Sequence, residues 1–273
     1  MKELKSHRTF SGKTSFWSHF SSETKTEMKF STYIPAGVPK GCIIWLSGLT
    51  CTEENFITKA GAQKYLDEAG LMVIAPDTSP RGLNLPGEHD AYDFGSGAGF
   101  YVDATVNGYK DHYRMYSYIT HELYQIIQDQ FQMKNISIMG HSMGGHGALV
   151  IGLKNPEKFK AISAFAPIVN PAGCSWGQKA FTGYLGENQD YWKEYDTCEL
   201  LESGLKHPSQ ILIHQGDKDE FFKTQLLTEK FVEASKASGQ SHQVKYCDGF
   251  DHSYYFISTF IEEHILHHKK SME

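Results

Sequence analysis

The residues best suited to chemistry in this 273-residue chain are Gly140-His141-Ser142-Met143-Gly144, which place a serine between two glycines directly after the apolar run Ile136-Ser137-Ile138-Met139. A serine hydroxyl attacks a carbonyl usefully only when a sharp strand-to-helix turn lifts it clear of the sheet, beside backbone N–H groups free to receive an oxyanion. Glycine two positions to either side lets strand and helix approach closely around that strained residue. The bare pattern also occurs by chance, as an ordinary glycine-rich turn. Here a β-like run precedes it, and Gly145, Gly147, Ala148 and Leu149 follow as a small-faced helix, a context that fits a nucleophile elbow.

Serine is a poor nucleophile near neutral pH unless a histidine takes its proton and an acid fixes that histidine's tautomer. Where such an elbow sits on an alternating strand–helix chain, the order is serine, acid, histidine, so both partners should lie beyond Ser142. His252, in Gly249-Phe250-Asp251-His252-Ser253, falls between the last predicted strand and the last predicted helix, where the base belongs. His141 and His146 flank the nucleophile and suit packing and local hydrogen bonding; His207 and His214 read as structural. Residue types leave the acid open: Asp217 and Asp219 follow one predicted strand, and Asp248 and Asp251 lie beside His252.

Hydrophobic patterning supplies the elements that must position these groups. Runs at 14–18 and 28–34 alternate, as an antiparallel opening to a sheet does. Continuous apolar runs at 42–46 and 71–75 fit buried strands, and residues 53–68 between them fit a helix behind Thr52 as N-cap, together a β-α-β crossover. Residues 113–131 carry Tyr116, Ile119, Leu123, Ile126 and Ile127 at helical spacing. Later strands are expected at 159–165, 210–214 and 243–247, and later helices at 224–238 and 254–267. This alternation implies an α/β chain, with a mostly parallel central sheet and helices on both faces. No repeat, low-complexity tract or linker interrupts it, so residues 1–273 read as a single domain. Two long irregular stretches, 77–112 and 167–190, are expected to wall a binding cleft. Gly95-Ser96-Gly97-Ala98-Gly99 has neither a leading strand nor a P-loop lysine and reads as turns.

Composition excludes other classes. The 26 basic and 32 acidic residues give a formal charge of −6, and no Lys or Arg run exceeds Lys269-Lys270, which argues against nucleic acid or anionic membrane as partners. No apolar stretch approaches the ~18 residues of a membrane span, and the charged amino terminus does not look like a signal peptide; a cytoplasmic protein is expected. Five dispersed cysteines, an odd number with no C-x-x-C pair, suit reduced thiols. The histidines show no two-ligand helical spacing for a metal. Glu263-His264 with His267-His268 comes closest and reads as dipole compensation and solvation in a last helical turn.

Together, Ser47-Gly48-Leu49-Thr50-Cys51, Pro76-Asp77-Thr78-Ser79-Pro80-Arg81-Gly82, Gly99-Phe100-Tyr101-Val102-Asp103-Ala104-Thr105, the elbow through Gly147, and Asp251-His252-Ser253-Tyr254-Tyr255 resemble the S-formylglutathione hydrolase family, also called esterase D. The resemblance runs over almost the whole chain. It implies an α/β-hydrolase fold and cleavage of the thioester S-formylglutathione to formate and glutathione, as in formaldehyde detoxification, with no metal or organic cofactor. It implies as acid the aspartate followed by any residue and then phenylalanine, here Asp219 in Asp219-Glu220-Phe221, which leaves Asp217 as a turn former. The catalytic set is then Ser142, Asp219 and His252. It assigns the oxyanion hole to the backbone N–H groups of Leu49 and Met143, in the loop after an early strand and directly after the nucleophile, where such sites draw their donors. It further implies that Cys51 borders the site, so that modifying it blocks activity, that Trp176 overhangs the cleft, and that the chain forms a homodimer. At least one of Lys179 and Arg81, in the two long stretches, is expected to contact the glutathione tail, although such residues usually serve as surface or structural ion pairs. A general carboxylesterase acting on short acyl esters would use the same triad. A binding protein that had lost its chemistry would lack a triad member, and none is missing. The family commonly has proline where this chain has Tyr124, on a predicted helix away from the motifs.

Overall fold

The computed structural model describes residues 1–273. Strands β1 (Lys2–Thr9), β2 (Gly12–Phe20) and β3 (Glu27–Ile34) open the chain as an antiparallel meander. Six more follow: β4 (Cys42–Leu46), β5 (Met72–Pro76), β6 (Ile136–His141), β7 (Ile162–Phe165), β8 (Ile211–Gly216) and β9 (His242–Cys247). All nine form one sheet in the order β1-β2-β3-β5-β4-β6-β7-β8-β9. Pairing is antiparallel as far as β3–β5 and parallel from β5 to β9. Strands β4 to β8 are buried along their whole length, which is why they read as unbroken apolar runs. Register sets the site: Leu46 of β4 pairs with Gly140 of β6, and His141 of β6 with Phe165 of β7, so the loops leaving these strands begin at one level.

Several expectations change in detail. β1 was not foreseen, because its residues are exposed and carry no apolar alternation. The helix expected over 53–68 is two, α1 (Glu53–Lys59) and α2 (Gln63–Ala69), parted where Gly61 takes φ +64°. Thr52 caps α1 as expected: its hydroxyl accepts from the Glu54 N–H, and its own N–H donates to Asn55 Oδ1 at 2.9 Å. The helix expected over 113–131 contains a wide π turn at Tyr118–Leu123. Within the stretch expected to be irregular, Ser175–Leu185 is an 11-residue helix. Its two glycines, Ser175 and Thr182 hide a buried face made by Trp176, Ala180, Phe181 and Tyr184.

The carboxyl-terminal helix runs from Tyr254 to Met272 and overturns the solvated reading of its histidines. His264 and His268 are fully buried against β7 and β8. Ser163 Oγ lies 2.8 Å from both His264 Nδ1 and His268 Nε2, and His264 Nε2 lies 2.9 Å from His214 Nδ1. His214 Nε2 closes the chain 3.2 Å from Glu263 Oε2.

Candidate active site

Ser142 sits at φ 58°, ψ −120°, between the end of β6 and the helix Met143–Lys154. A non-glycine residue rarely holds this conformation, which costs on the order of 1–3 kcal/mol. Its surroundings enforce it. The Ser142 N–H donates to Phe165 O at 3.0 Å, and Ser142 O accepts from the His146 N–H at 3.0 Å. Glycine is required on both sides: a Cβ on Gly140 would lie 2.2 Å from Gly144 O, and one on Gly144 would lie 2.0 Å from Leu46 O. The loop after β4 crosses close above, since a Cβ on Gly48 would come within 3.2 Å of Ser142 Cβ.

That loop carries Leu49. The Leu49 N–H makes no hydrogen bond within the protein, and Met143, as the first residue of its helix, has an N–H without an intrahelical acceptor. Two donors are thus left open beside the serine. The stretch 77–112, expected as a cleft wall, mainly braces this loop. The Thr50 N–H donates to Gly97 O at 2.8 Å and Tyr101 Oη donates to Ser47 O at 2.9 Å. Thr78 Oγ1 and Arg81 Nη2 both donate to Cys51 O, at 2.6 and 3.0 Å. Tyr92 alone from that stretch lines the cavity over Ser142.

His252 follows β9, and its Nδ1 lies 2.5 Å from Asp219 Oδ2. Asp219 is fixed in turn by the Phe221 N–H, which donates to Oδ1 at 2.9 Å, and by Gln215 Nε2 at 3.4 Å. Phe221 meets the imidazole edge-on at a centroid distance of 5.1 Å. Asp217 points elsewhere: it accepts from the Gly249 N–H at 2.7 Å, and that bond, with Lys218, holds its carboxyl below the usual range. The geometry therefore separates two aspartates that residue type left equivalent. His141 lies beneath His252 with ring centroids 4.4 Å apart, and burial drives its basicity well down. His146, fully buried and away from the hydroxyl, donates its Nε2–H to Phe100 O at 2.9 Å, and burial lowers its pKa to about 4.

The cavity above Ser142 encloses about 340 Å³, at the small end of ligand pockets. Ser142 and His252 face it together with Cys51, Trp176, Tyr254 and Lys59. Burial pushes the Cys51 thiol up, away from the reactive thiolate. Trp176 lines the cavity, its indole N–H bonded to Tyr92 Oη at 3.0 Å and its ring centroid 4.6 Å from that of Phe221. Lys179 and Arg81 do not line it. Lys179 pairs with Asp93 at 2.5 Å, and Arg81 pairs with Asp77 at 2.8 Å. The cation that does line it, Lys59, went unnoticed in the sequence, where the last turn of a helix gives a lysine an ordinary electrostatic role. No group of three or more His, Cys, Asp or Glu side chains is arranged to hold a metal ion.

A mostly parallel sheet of this order, with its serine on the turn after β6, is an α/β-hydrolase. Comparison with known proteins narrows the class. The Esterase family model matches residues 21–267. The chain is 51% identical over 276 residues to an S-formylglutathione hydrolase of Bos taurus, with 99% of this chain and 98% of that protein covered. It is 48% identical over 280 residues to one of Arabidopsis thaliana, covering 100% and 98%. The solved structure of an S-formylglutathione hydrolase from Agrobacterium tumefaciens superimposes with a TM-score of 0.97 at 43% identity, covering 100% of both chains. The chain belongs to the Esterase family.

Proposed function

We propose that this chain, acting as one domain over residues 1–273, hydrolyses S-formylglutathione to formate and glutathione. Ser142 Oγ attacks the formyl carbon while its proton passes to His252 Nε2, and the carbonyl oxygen becomes an oxyanion held by the N–H groups of Leu49 and Met143. Collapse of that intermediate breaks the C–S bond; the departing thiolate takes the proton from His252 and leaves a formyl ester on Ser142. Water, giving its proton to His252, then attacks the ester, and formate departs as Ser142 recovers its proton. Asp219 holds the imidazole in the tautomer that leaves Nε2 free and stabilises the imidazolium as it forms. Thiolate is a good leaving group, so triad and oxyanion donors suffice for this bond.

The observation that carries the reading is the 2.5 Å pair between Asp219 and His252 at the cavity that also holds the strained Ser142. Supporting it, relatives about half identical over the full chain bear the name of this hydrolase. The small cavity suits a formyl or acetyl group, because each added methylene must be accommodated at about 1–3 kcal/mol of discrimination. The same residues would cleave short acyl esters. A cytoplasmic setting and a homodimer belong to this reading; no helix is long and apolar enough to cross a membrane. The test is kcat/KM for S-formylglutathione, S-acetylglutathione and nitrophenyl esters from acetate to hexanoate. Preference for the formyl thioester is expected, and faster hexanoate cleavage than either thioester would replace it with a general carboxylesterase.

A further inference from the structure

Glutathione carries two carboxylates and one ammonium, and a chain with a formal charge of −6 must supply cations or N–H donors where that anionic tail lies. The two cations anticipated for the task are already committed. Arg81 gives Nε and Nη2 to Asp77 and reaches Cys51 O, bracing the loop beside Ser142, and Lys179 is bonded to Asp93 outside the cavity. Lys59 differs from both. It is exposed, has no carboxylate partner, and lines the cavity directly. Its Nζ lies 5.7 Å from the centroid of the Tyr254 ring, and its charge acts on Cys51 inside the cavity.

Asn55 stands one turn earlier on the same face of α1, also at the cavity. Its Oδ1 is occupied in capping α1, accepting from the Thr52 N–H at 2.9 Å. That bond fixes which way the amide points, and Nδ2 is left without an acceptor in the protein. Asn55 and Lys59 therefore present only donors, one neutral and one charged, on a single wall, and no carboxylate lines the cavity to compete for them. Trp176, Tyr92 and Phe221 add aromatic rings to the cavity lining.

We infer that the α1 wall is an anion subsite, in which Lys59 Nζ and Asn55 Nδ2 hold a carboxylate of the peptide portion of a glutathione thioester while its acyl carbon lies at Ser142. This rests on the proposed function for the identity of the peptide, but the subsite itself is a property of the wall. It also gives α1 a role that its sequence conceals: Asn55, whose Oδ1 completes the cap with Thr52, keeps its Nδ2 as a donor for the ligand.

The test uses S-methylglutathione, a thioether the enzyme cannot cleave, as an inhibitor of nitrophenyl acetate hydrolysis by wild type, Lys59→Ala, Lys59→Glu, Asn55→Asp and Lys179→Ala. Asn55→Asp keeps an oxygen to cap α1 and replaces the donor with an acceptor. Competitive inhibition of the wild type is expected, with the inhibition constant raised about fivefold in Lys59→Ala, as for a partly solvated charge pair, more in Lys59→Glu, and also raised in Asn55→Asp. Added salt should weaken inhibition of the wild type far more than of Lys59→Ala. No inhibition of the wild type overturns the proposal. So does an unchanged constant in Lys59→Ala, or an equal rise in Lys179→Ala. Inhibition that depends on Lys59 in an enzyme that prefers nitrophenyl acetate to S-formylglutathione would uphold the subsite and remove the proposed substrate.

Discussion

His252 and the trio His214, His264 and His268 are the same residue type on one sheet, yet their surroundings give them opposite capacities. His252 has one nitrogen committed to Asp219 and faces the cavity with the other edge of its ring. The trio is buried, and its nitrogens are spent on one another, on Ser163 and on Glu263, with only His268 Nδ1 unpaired. Burial lowers His214 to about 4 and drives His264 and His268 well down, helped at His264 by the charges of His214, His268 and His267 and at His268 by that of His267. A proton on the trio would have no carboxylate in the interior to meet, since Glu263 reaches only its outer end and is shared with Lys245. Reactivity therefore needs one nitrogen fixed by an anion and one left free at a cavity; burial alone yields a structural cluster.

The largest effect should come at the nucleophile. Ser142→Ala removes the attacking atom without disturbing packing, and hydrolysis should fall on the order of 10⁶-fold with the thermal midpoint nearly unchanged; near-normal turnover in the purified variant would end the serine mechanism. Asp219→Asn should cost on the order of 10⁴ in kcat, while Asp217→Asn should cost less than about tenfold because it loses only a turn bond. If the two aspartates exchanged effects, the anion assigned to His252 would be the wrong one.

The buried trio should register in stability instead. Its folded pKa values lie below 6.5, the ordinary value, so the unfolded chain binds more protons between the two. Stability from these groups is complete above pH 6.5 and drains away as the pH falls towards 4. Asp196, buried and raised to about 6, works in the opposite sense over part of that window. Thermal unfolding followed from pH 7.5 to 4.5 should show the midpoint falling, less steeply in His264→Leu. That substitution should cost about 1–3 kcal/mol by leaving Ser163 and His214 with unmet partners, with kcat/KM unmoved. A large loss of activity in His264→Leu would erase the contrast between the two groups. The smallest effect is expected at Cys51. Cys51→Ser should retain most activity, whereas alkylating the thiol should inhibit by bulk beside Ser142; an inactive Cys51→Ser would make the thiol a chemical participant.

The elbow was legible in sequence because its chemistry is local: two glycines forced by contacts with Gly144 O and Leu46 O flank one serine over five residues. The parallel strands were legible because burial on both faces writes them as unbroken apolar runs. Asp219 could be told from Asp217 only through the family resemblance, since the distinction is made by Phe221 and Gly249 N–H groups that the fold brings to one carboxylate each. His264 and His268 were misread because they stand among charged neighbours on a helix, while their partners Ser163 and His214 come from strands far earlier in the chain. Lys59 was invisible for a related reason: what marks it is the absence of a partner, which no spacing encodes.

The backbone at Ser142 carries a further consequence for how such a chain can change over time. A residue held at φ 58°, ψ −120° stores energy that glycine at the same position would release, so the most comfortable occupant of the turn is one that cannot attack a carbonyl. Selection for thermal robustness and selection for turnover therefore pull this position in opposite directions. A line of descent freed from the need for hydrolysis would be expected to lose its hydroxyl here early and to gain stability by doing so.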